Sequence, residues 1–204
     1  AVSGGSATLE MNGHKLTIDV DPNYTFGLYD LTVTGGGTIY GRSGGFIQLV
    51  RVTAETTTLE AGSHSLDVSS PTTFLNYIAR YTGNWDKSPN APIRVLGRFT
   101  PVGSSWHSVE FQDGAVLDLS QKSGVWSATC EMPHYAGPSS ISFADGATVR
   151  IDVGERQPVL GDQLVSWPTK PMGAKFSWDL GLPLHAKSKG LFVMEPPGMP
   201  ILVR

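Results

Sequence analysis

"FADGATVRIDV", Phe143 to Val153, echoes "FQDGAVLDLS", which begins 32 positions earlier at Phe111 (143 − 111). Both read aromatic residue, spacer, Asp-Gly-Ala, then alternating apolar and polar residues. In the second copy Val149, Ile151 and Val153 alternate with Arg150 and Asp152, which is the period of a strand with one face on a core. Asp-Gly is favoured turn chemistry, because glycine reaches the left-handed backbone region at no steric cost. A duplicated catalytic loop would repeat reactive side chains; a repeated structural unit need repeat only turn and strand. Looser copies begin at Leu9 ("LEMNGHKLTIDV"), Leu31 ("LTVTGGGTIYG") and Leu59 ("LEAGSHSLDVS"). Their His14 and His64 have no counterpart in the Phe111 and Phe143 copies. What repeats is architecture, and degenerate repetition of this kind marks stacked units.

Strand patterns run outward from these copies. Alternation with β-branched residues covers Lys15 to Val20, Leu31 to Gly36, Phe46 to Ala54, Ile93 to Phe99, Ala115 to Ser120 and Thr148 to Val153. Further strands are expected around Gln163 to Trp167 and Lys175 to Asp179, with two final strands at Leu191 to Met194 and Ile201 to Val203. One segment reads differently. Ser70-Pro71 suits a helix start, Phe74, Ile78, Tyr81 and Trp85 fall three or four apart, and Gly83 suits a helix end. The spacing predicts one short helix over 72–82.

An all-β chain of about seven turn-strand units, roughly 20–30 residues each, fits a parallel β-helix, or solenoid. Loops of unequal length leave such a stack without disturbing it. The alternative is an antiparallel β-sandwich or jelly roll. Glycine and proline are spread along the chain, so residues 1–204 read as a single solenoid domain. The start at Ala1, without Met, reads as a processed or excised piece of a longer protein.

Charge and composition exclude several partners. A net charge of −3 with scattered lysines and arginines leaves no basic footprint for nucleic acid. No apolar run approaches the roughly 18–20 residues of a transmembrane helix. The single cysteine, Cys130, cannot form an internal disulfide and reads as a small buried side chain.

The strings "FQDGAVLDLS", "FADGATVRIDVG" and "LTVTGGGTIYG", with the closing "AKFSWDLGLPLHAKSKGLFVMEPPGMPILVR", resemble the β-solenoid repeat regions of secreted and autotransporter-type surface proteins of Gram-negative bacteria. The resemblance lies in repeat style and covers most of the chain. It implies a right-handed parallel β-helix exported to the cell surface, in an extracellular setting. The chain departs from that pattern in the expected helix and in its tryptophans near the C-terminus.

Little in the sequence calls for chemistry. Asp113, Asp118, Asp145 and Asp152 fall in neighbouring units, where pectate-lyase-like β-helix enzymes cluster acids around calcium. Yet Asp113 and Asp145 precede glycine and read first as turn residues, and Asp118 and Asp152 read as outward, solvated positions. Glu110 and Glu131 have no partner at a spacing that sequence can fix. The histidines His14, His64, His107, His134 and His185 lack metal-type spacing, and neither a G-x-S-x-G elbow nor a P-loop occurs. The expectation is no catalytic residue, no metal and no cofactor. Aromatics are the better lead, since Trp85, Trp106, Trp126, Trp167 and Trp178 offer faces to sugar rings. The ligand-binding candidates are Tyr77, Arg80, Trp85 and Asp86, gathered in "YIARYTGNWDK". The expected role is a non-enzymatic structural or adhesive segment of an exported surface protein, its partners being surface glycans or other segments of the parent protein. The alternative is a carbohydrate-active enzyme or an accessory glycan-binding module.

Overall fold

The computed structural model describes residues 6–62, 65–80, 91–103, 107–130, 139–167 and 173–194. Regular structure among them is entirely β, and parallel strands stack coil upon coil as a β-solenoid. One face carries Ala7–Glu10, Leu31–Thr34, the starts of Thr53–Ala61 and Thr72–Ala79, then Ile93–Val95, Val109–Phe111 and Ser139–Phe143. A second face carries the starts of Lys15–Tyr29 and Thr38–Val50, the later halves of Thr53–Ala61 and Thr72–Ala79, then Arg98–Pro101, Val116–Asp118, Thr148–Asp152 and Lys175–Ser177. A third face carries the ends of Lys15–Tyr29 and Thr38–Val50, followed by Ser65–Val68.

Register turns alternation into a core. On the second face Leu16, Ile39, Leu59, Tyr77, Phe99, Leu117 and Ile151 are successive register partners. All but the first are buried. On the first face Ala54, Phe74, Val95, Phe111 and Phe143 form the matching column. Aromatic rings occupy consecutive levels, with Tyr77 stacked on Phe99 at 5.3 Å and Phe111 on Phe143 at 5.5 Å.

The two Asp-Gly-Ala copies thus lie on adjacent coils, with Phe111 paired to Phe143. Gly114 and Gly146 both have positive φ, at 78° and 72°. The strands after the turns are offset, however. Val116 pairs with Arg150, not with Thr148. Five residues separate Phe111 from Val116 (116 − 111) and seven separate Phe143 from Arg150 (150 − 143), so the later corner holds two more residues. The earlier turn grips this longer one: Gly114 N–H donates to Thr148 O at 2.9 Å, and Thr148 N–H donates to Asp113 Oδ1 at 2.8 Å. A third copy, Gly173-Ala174-Lys175-Phe176, follows on the next coil, with Lys175 in register with Thr148.

The expected helix over 72–82 is a strand instead: Thr72–Ala79 is β, and residues 81 and 82 lie outside the described set. Thr72, Phe74, Tyr77 and Ala79 are buried. Alternation by two holds on either side of Leu75 and Asn76, where the chain turns a solenoid corner and inserts one extra step. That step puts Tyr77 inside and leaves Ile78, a member of the stripe read as helical, half-buried. The run expected over Phe46 to Ala54 is likewise broken by a corner at Arg51, whose φ is 50°. Asp30, one coil earlier, has the same φ, and its N–H donates to Val50 O. The far end departs from the parallel rule. Gly190–Val193 runs antiparallel to both Gln163–Ser166 and Leu184–Lys187. Trp167 stacks on Phe176 at 5.8 Å and covers the last coil. The expected strand over Ile201 to Val203 lies outside the described residues.

Two measurements test this packing. A Cβ at Gly114 or Gly146 meets no atom within 4 Å. Gly114→Ala and Gly146→Ala should therefore each cost about 1–2 kcal/mol from backbone conformation alone. Gly124, equally open but without positive φ, should accept alanine without loss. Urea midpoints of the three variants decide it. Phe74→Ala and Tyr77→Ala should each cost about 3–5 kcal/mol, because both side chains are fully buried.

Candidate functional site

The sequence-derived binding set does not assemble on one surface among the described residues. Tyr77 is a core residue, 1% exposed, and its hydroxyl accepts a hydrogen bond from the His107 backbone N–H. Its ring is therefore not available as a surface contact. Arg80 lies at the surface with its Nε 2.6 Å from Glu60 Oε1, one coil away. Trp85 and Asp86 lie outside the described residues, as do Trp106, His64, His134 and Glu131. Trp126 and Trp167 are buried; Trp178 is half-buried.

The densest polar cluster sits on the outer side of the second face. Arg98 Nη1 lies 2.9 Å from Asp118 Oδ2 and 2.7 Å from Asp152 Oδ2. Asp118 and Asp152 are register partners on adjacent coils. Parallel stacking brings two like charges to one strand spacing, and Arg98, one coil earlier, bridges both. Thr100 Oγ1 also donates to Asp118 Oδ2 at 3.1 Å. Asp118 is buried, contrary to the solvated position expected for it. Burial opposes its ionisation, but hydrogen bonds from the Ser120 hydroxyl and N–H and from Arg98 outweigh that and hold its carboxyl below the usual range. Asp152 is held low chiefly by Arg98, with help from the Gly154 N–H. Arg98 is itself raised by the Asp152 bond. Both carboxylates are thus held toward the ionised form, whereas the acid of a glycosidase pair is held protonated. Glu110 is engaged too, 3.2 Å from its register partner Arg94 and accepting from Gln112 Nε2 at 2.7 Å.

Beside this cluster lies a cleft of about 170 Å³, lined by Arg150, Asp152, Gly154, Trp178, Asp179 and Leu180 among others. Arg150 Nη1 reaches Asp179 Oδ2 at 2.6 Å across the coil boundary. Trp178 Nε1–H donates to Leu182 O at 2.5 Å, which fixes the indole. The sequence reading named Trp178 among the stacking candidates but not its neighbours. Arg150 and Asp152 were legible as outward residues, yet only the coil-to-coil register sets Asp179 opposite Arg150. Among the described residues no group of three or more His, Cys, Asp or Glu side chains could hold a metal ion. No helix there is long and apolar enough to cross a membrane.

His107 is a buried imidazole, 2% exposed inside the coil next to Tyr77. Its Nε2 has no hydrogen-bond partner among the described residues. Burial pushes its pKa down to about 4, against a weaker opposing hydrogen bond to Ser108 O. No family model, curated protein or solved structure matches this chain.

The histidine makes stability depend on pH. Below about pH 6.5 the unfolded chain binds a proton on this residue that the folded chain refuses until about pH 4. Its contribution is therefore complete above pH 6.5 and declines as pH falls through that window, by roughly 3 kcal/mol in all. Urea midpoints at pH 7.5, 5.5 and 4 should fall more steeply for the native chain than for His107→Phe, which cannot take up the proton.

Proposed function

We propose that this chain is a non-enzymatic structural segment of an exported bacterial surface protein, a stiff solenoid used as a spacer or adhesive module. What supports this reading is the use made of charge. Each of the eight ion pairs among the described residues joins different coils: Lys15–Glu60, Arg42–Asp19, Arg51–Asp30, Arg80–Glu60, Arg94–Glu110, Arg98–Asp118, Arg98–Asp152 and Arg150–Asp179. Carboxylates spent as clamps between coils serve the stack. Isolated surface pairs contribute little, but a network along one axis resists shear and bending of the rod. The export setting rests on the repeat style alone; protease treatment of intact cells, with a cytoplasmic control, tests it.

The role of the Arg98 cluster is open to a direct assay. Asp118→Asn and Asp152→Asn should lower the urea midpoint, with a loss of unfolding free energy of about 1–2 kcal/mol for the more buried Asp118. The purified native chain should release no reducing ends from common polysaccharides. Release above a buffer control that disappears in Asp118→Asn, Asp152→Asn or Glu110→Gln would replace the structural reading with a catalytic one.

A second reading is favoured by the cleft. Trp178, Arg150, Asp152 and Asp179 combine an oriented indole with both donors and acceptors, the mixture a neutral sugar needs. A glycan array carries this test. Binding that Trp178→Ala abolishes without moving the melting temperature makes the chain a glycan-binding module; an array silent for the native chain removes that reading.

A further inference from the structure

On the third face one glycine stands without a backbone reason. Gly27 lies inside a strand, where glycine is unfavourable, and its φ is not positive. Its reason is a neighbour: a Cβ there would run into the Tyr29 ring, which lies back across Gly27. The ring is held in that position from the following coils. Gly27, Gln48 and Asp67 are successive register partners in one outward column. The Tyr29 hydroxyl donates to Gln48 Oε1, and Gln48 Nε2 donates to Asp67 Oδ2 at 2.9 Å. Tyr29 is nevertheless 53% exposed. A tyrosine buried like Tyr77 needs a protein partner because water does not reach it. An exposed one has water, so fixing its ring costs rotamer freedom with little gain in stability.

We propose that Tyr29, Gln48 and Asp67 form a binding platform for a neutral sugar ring, on a different face from the Trp178 cleft. This site deepens the adhesive reading above and rests on it. A ring fixed before the ligand arrives removes part of the ordering cost of binding. The exposed part of the tyrosine offers an apolar surface that can sit against the C–H face of a pyranose. The polar groups beside it are mostly acceptors. The Tyr29 hydroxyl gives its proton to Gln48 and keeps its lone pairs, the Gln48 amide has one further N–H, and Asp67 has a second carboxylate oxygen. Such a set suits a ligand rich in hydroxyl donors. Arg51, beside the Tyr29 register partner Val50, is held by two hydrogen bonds on Asp30, so its charge is already matched. The sugar that fits is therefore uncharged.

The test is calorimetric titration of the whole chain with a soluble neutral glucan, mannan and galactan. At least one should bind, with an affinity indifferent to salt. Tyr29→Ala should weaken that binding roughly tenfold with an unchanged melting temperature. Gly27→Ala is the sharper variant, because it keeps the ring but displaces it. It should weaken binding comparably while the chain melts no lower, since alanine suits a strand better than glycine. Binding that survives either variant overturns the platform, and so does binding lost in Trp178→Ala but kept in Tyr29→Ala, which assigns the sugar to the cleft. Affinity that falls with salt marks a charged ligand and overturns the neutral-sugar assignment. A native chain that takes up none of the three glycans overturns the site as well, and leaves the spacer role standing, which needs no glycan.

Discussion

Everything in this fold depends on one constraint: each coil must place an apolar side chain at the same inward position as the coil before it. A parallel coil cannot satisfy its own backbone. Its amides and carbonyls find partners only on neighbouring coils, so stacking and hydrogen bonding are one event. The column from Leu16 through Ile39, Leu59, Tyr77, Phe99 and Leu117 to Ile151 holds that register. A slip of one residue on any coil would turn its whole inward set to water. The column also changes in character. It is aliphatic as far as Leu59, becomes aromatic at Tyr77 and Phe99, and returns to aliphatic. On the adjoining face Phe74 shares the Tyr77 coil, whereas Val95 faces Phe99 and Phe111 faces Leu117, so a wide side chain on one face is offset by a narrower one on the other at the last two of these levels.

The same register explains why outward charge is ordered. Register partners lie one strand spacing apart, so like charges in one column repel and opposite charges attract. Asp118 above Asp152 is the costly case, and Arg98 resolves it from the preceding coil. Arg94 above Glu110 is the favourable case. The corner shared by Asp30 and Arg51 applies the rule to backbone strain. Both residues adopt the left-handed conformation at equivalent positions, and Arg51 closes two hydrogen bonds on the Asp30 carboxylate, at 2.5 and 2.8 Å. Side chains other than glycine are disfavoured in that conformation. Here each carries a charge that the other satisfies.

The legible part of this fold was its periodicity; the illegible part was its corners. Within a face the alternation in Thr148 to Val153 gave the inward residues correctly, and the Phe111 and Phe143 echo placed two coils in contact. Where the chain turns without an Asp-Gly step, as at Leu75 and Asn76, alternation skips a residue and no residue type announces it. The spacing of Phe74, Ile78, Tyr81 and Trp85 made a strand look helical, and the skip at Leu75 and Asn76 turned Tyr77, read as a surface residue, into the core. The two additional residues before Arg150 displaced the second Asp-Gly-Ala from the first, although the strings align without a gap. Gly173 escaped notice because Met172 stands where the other copies have Asp, removing the more conspicuous half of the turn signal. The cleft at Trp178 was hidden for the same reason: its lining comes from two coils, and only the corner lengths decide which residues of those coils meet.

A solenoid is nearly one-dimensional, so its stability is a sum of contacts between neighbouring coils, and the terminal coils have one neighbour instead of two. Burial follows that rule. Ile39, Leu59, Phe74, Val95, Phe99 and Phe111 are wholly buried further along the stack, whereas the first coil mixes half-covered Leu9 and Leu16 with the buried but less enclosed Met11, Ile18 and Leu28. The last coils escape the same deficit because the chain abandons parallel stacking there. Leu164, Val165, Leu191 and Val193 build a small second layer, and Trp167 bonds through its Nε1 to Lys187 O while its ring covers Phe176. The first coil has no such layer among the described residues. Opening should therefore begin at that end and advance coil by coil, with the pairs Lys15–Glu60 and Arg80–Glu60 spanning the levels where fraying would first meet the fully buried core.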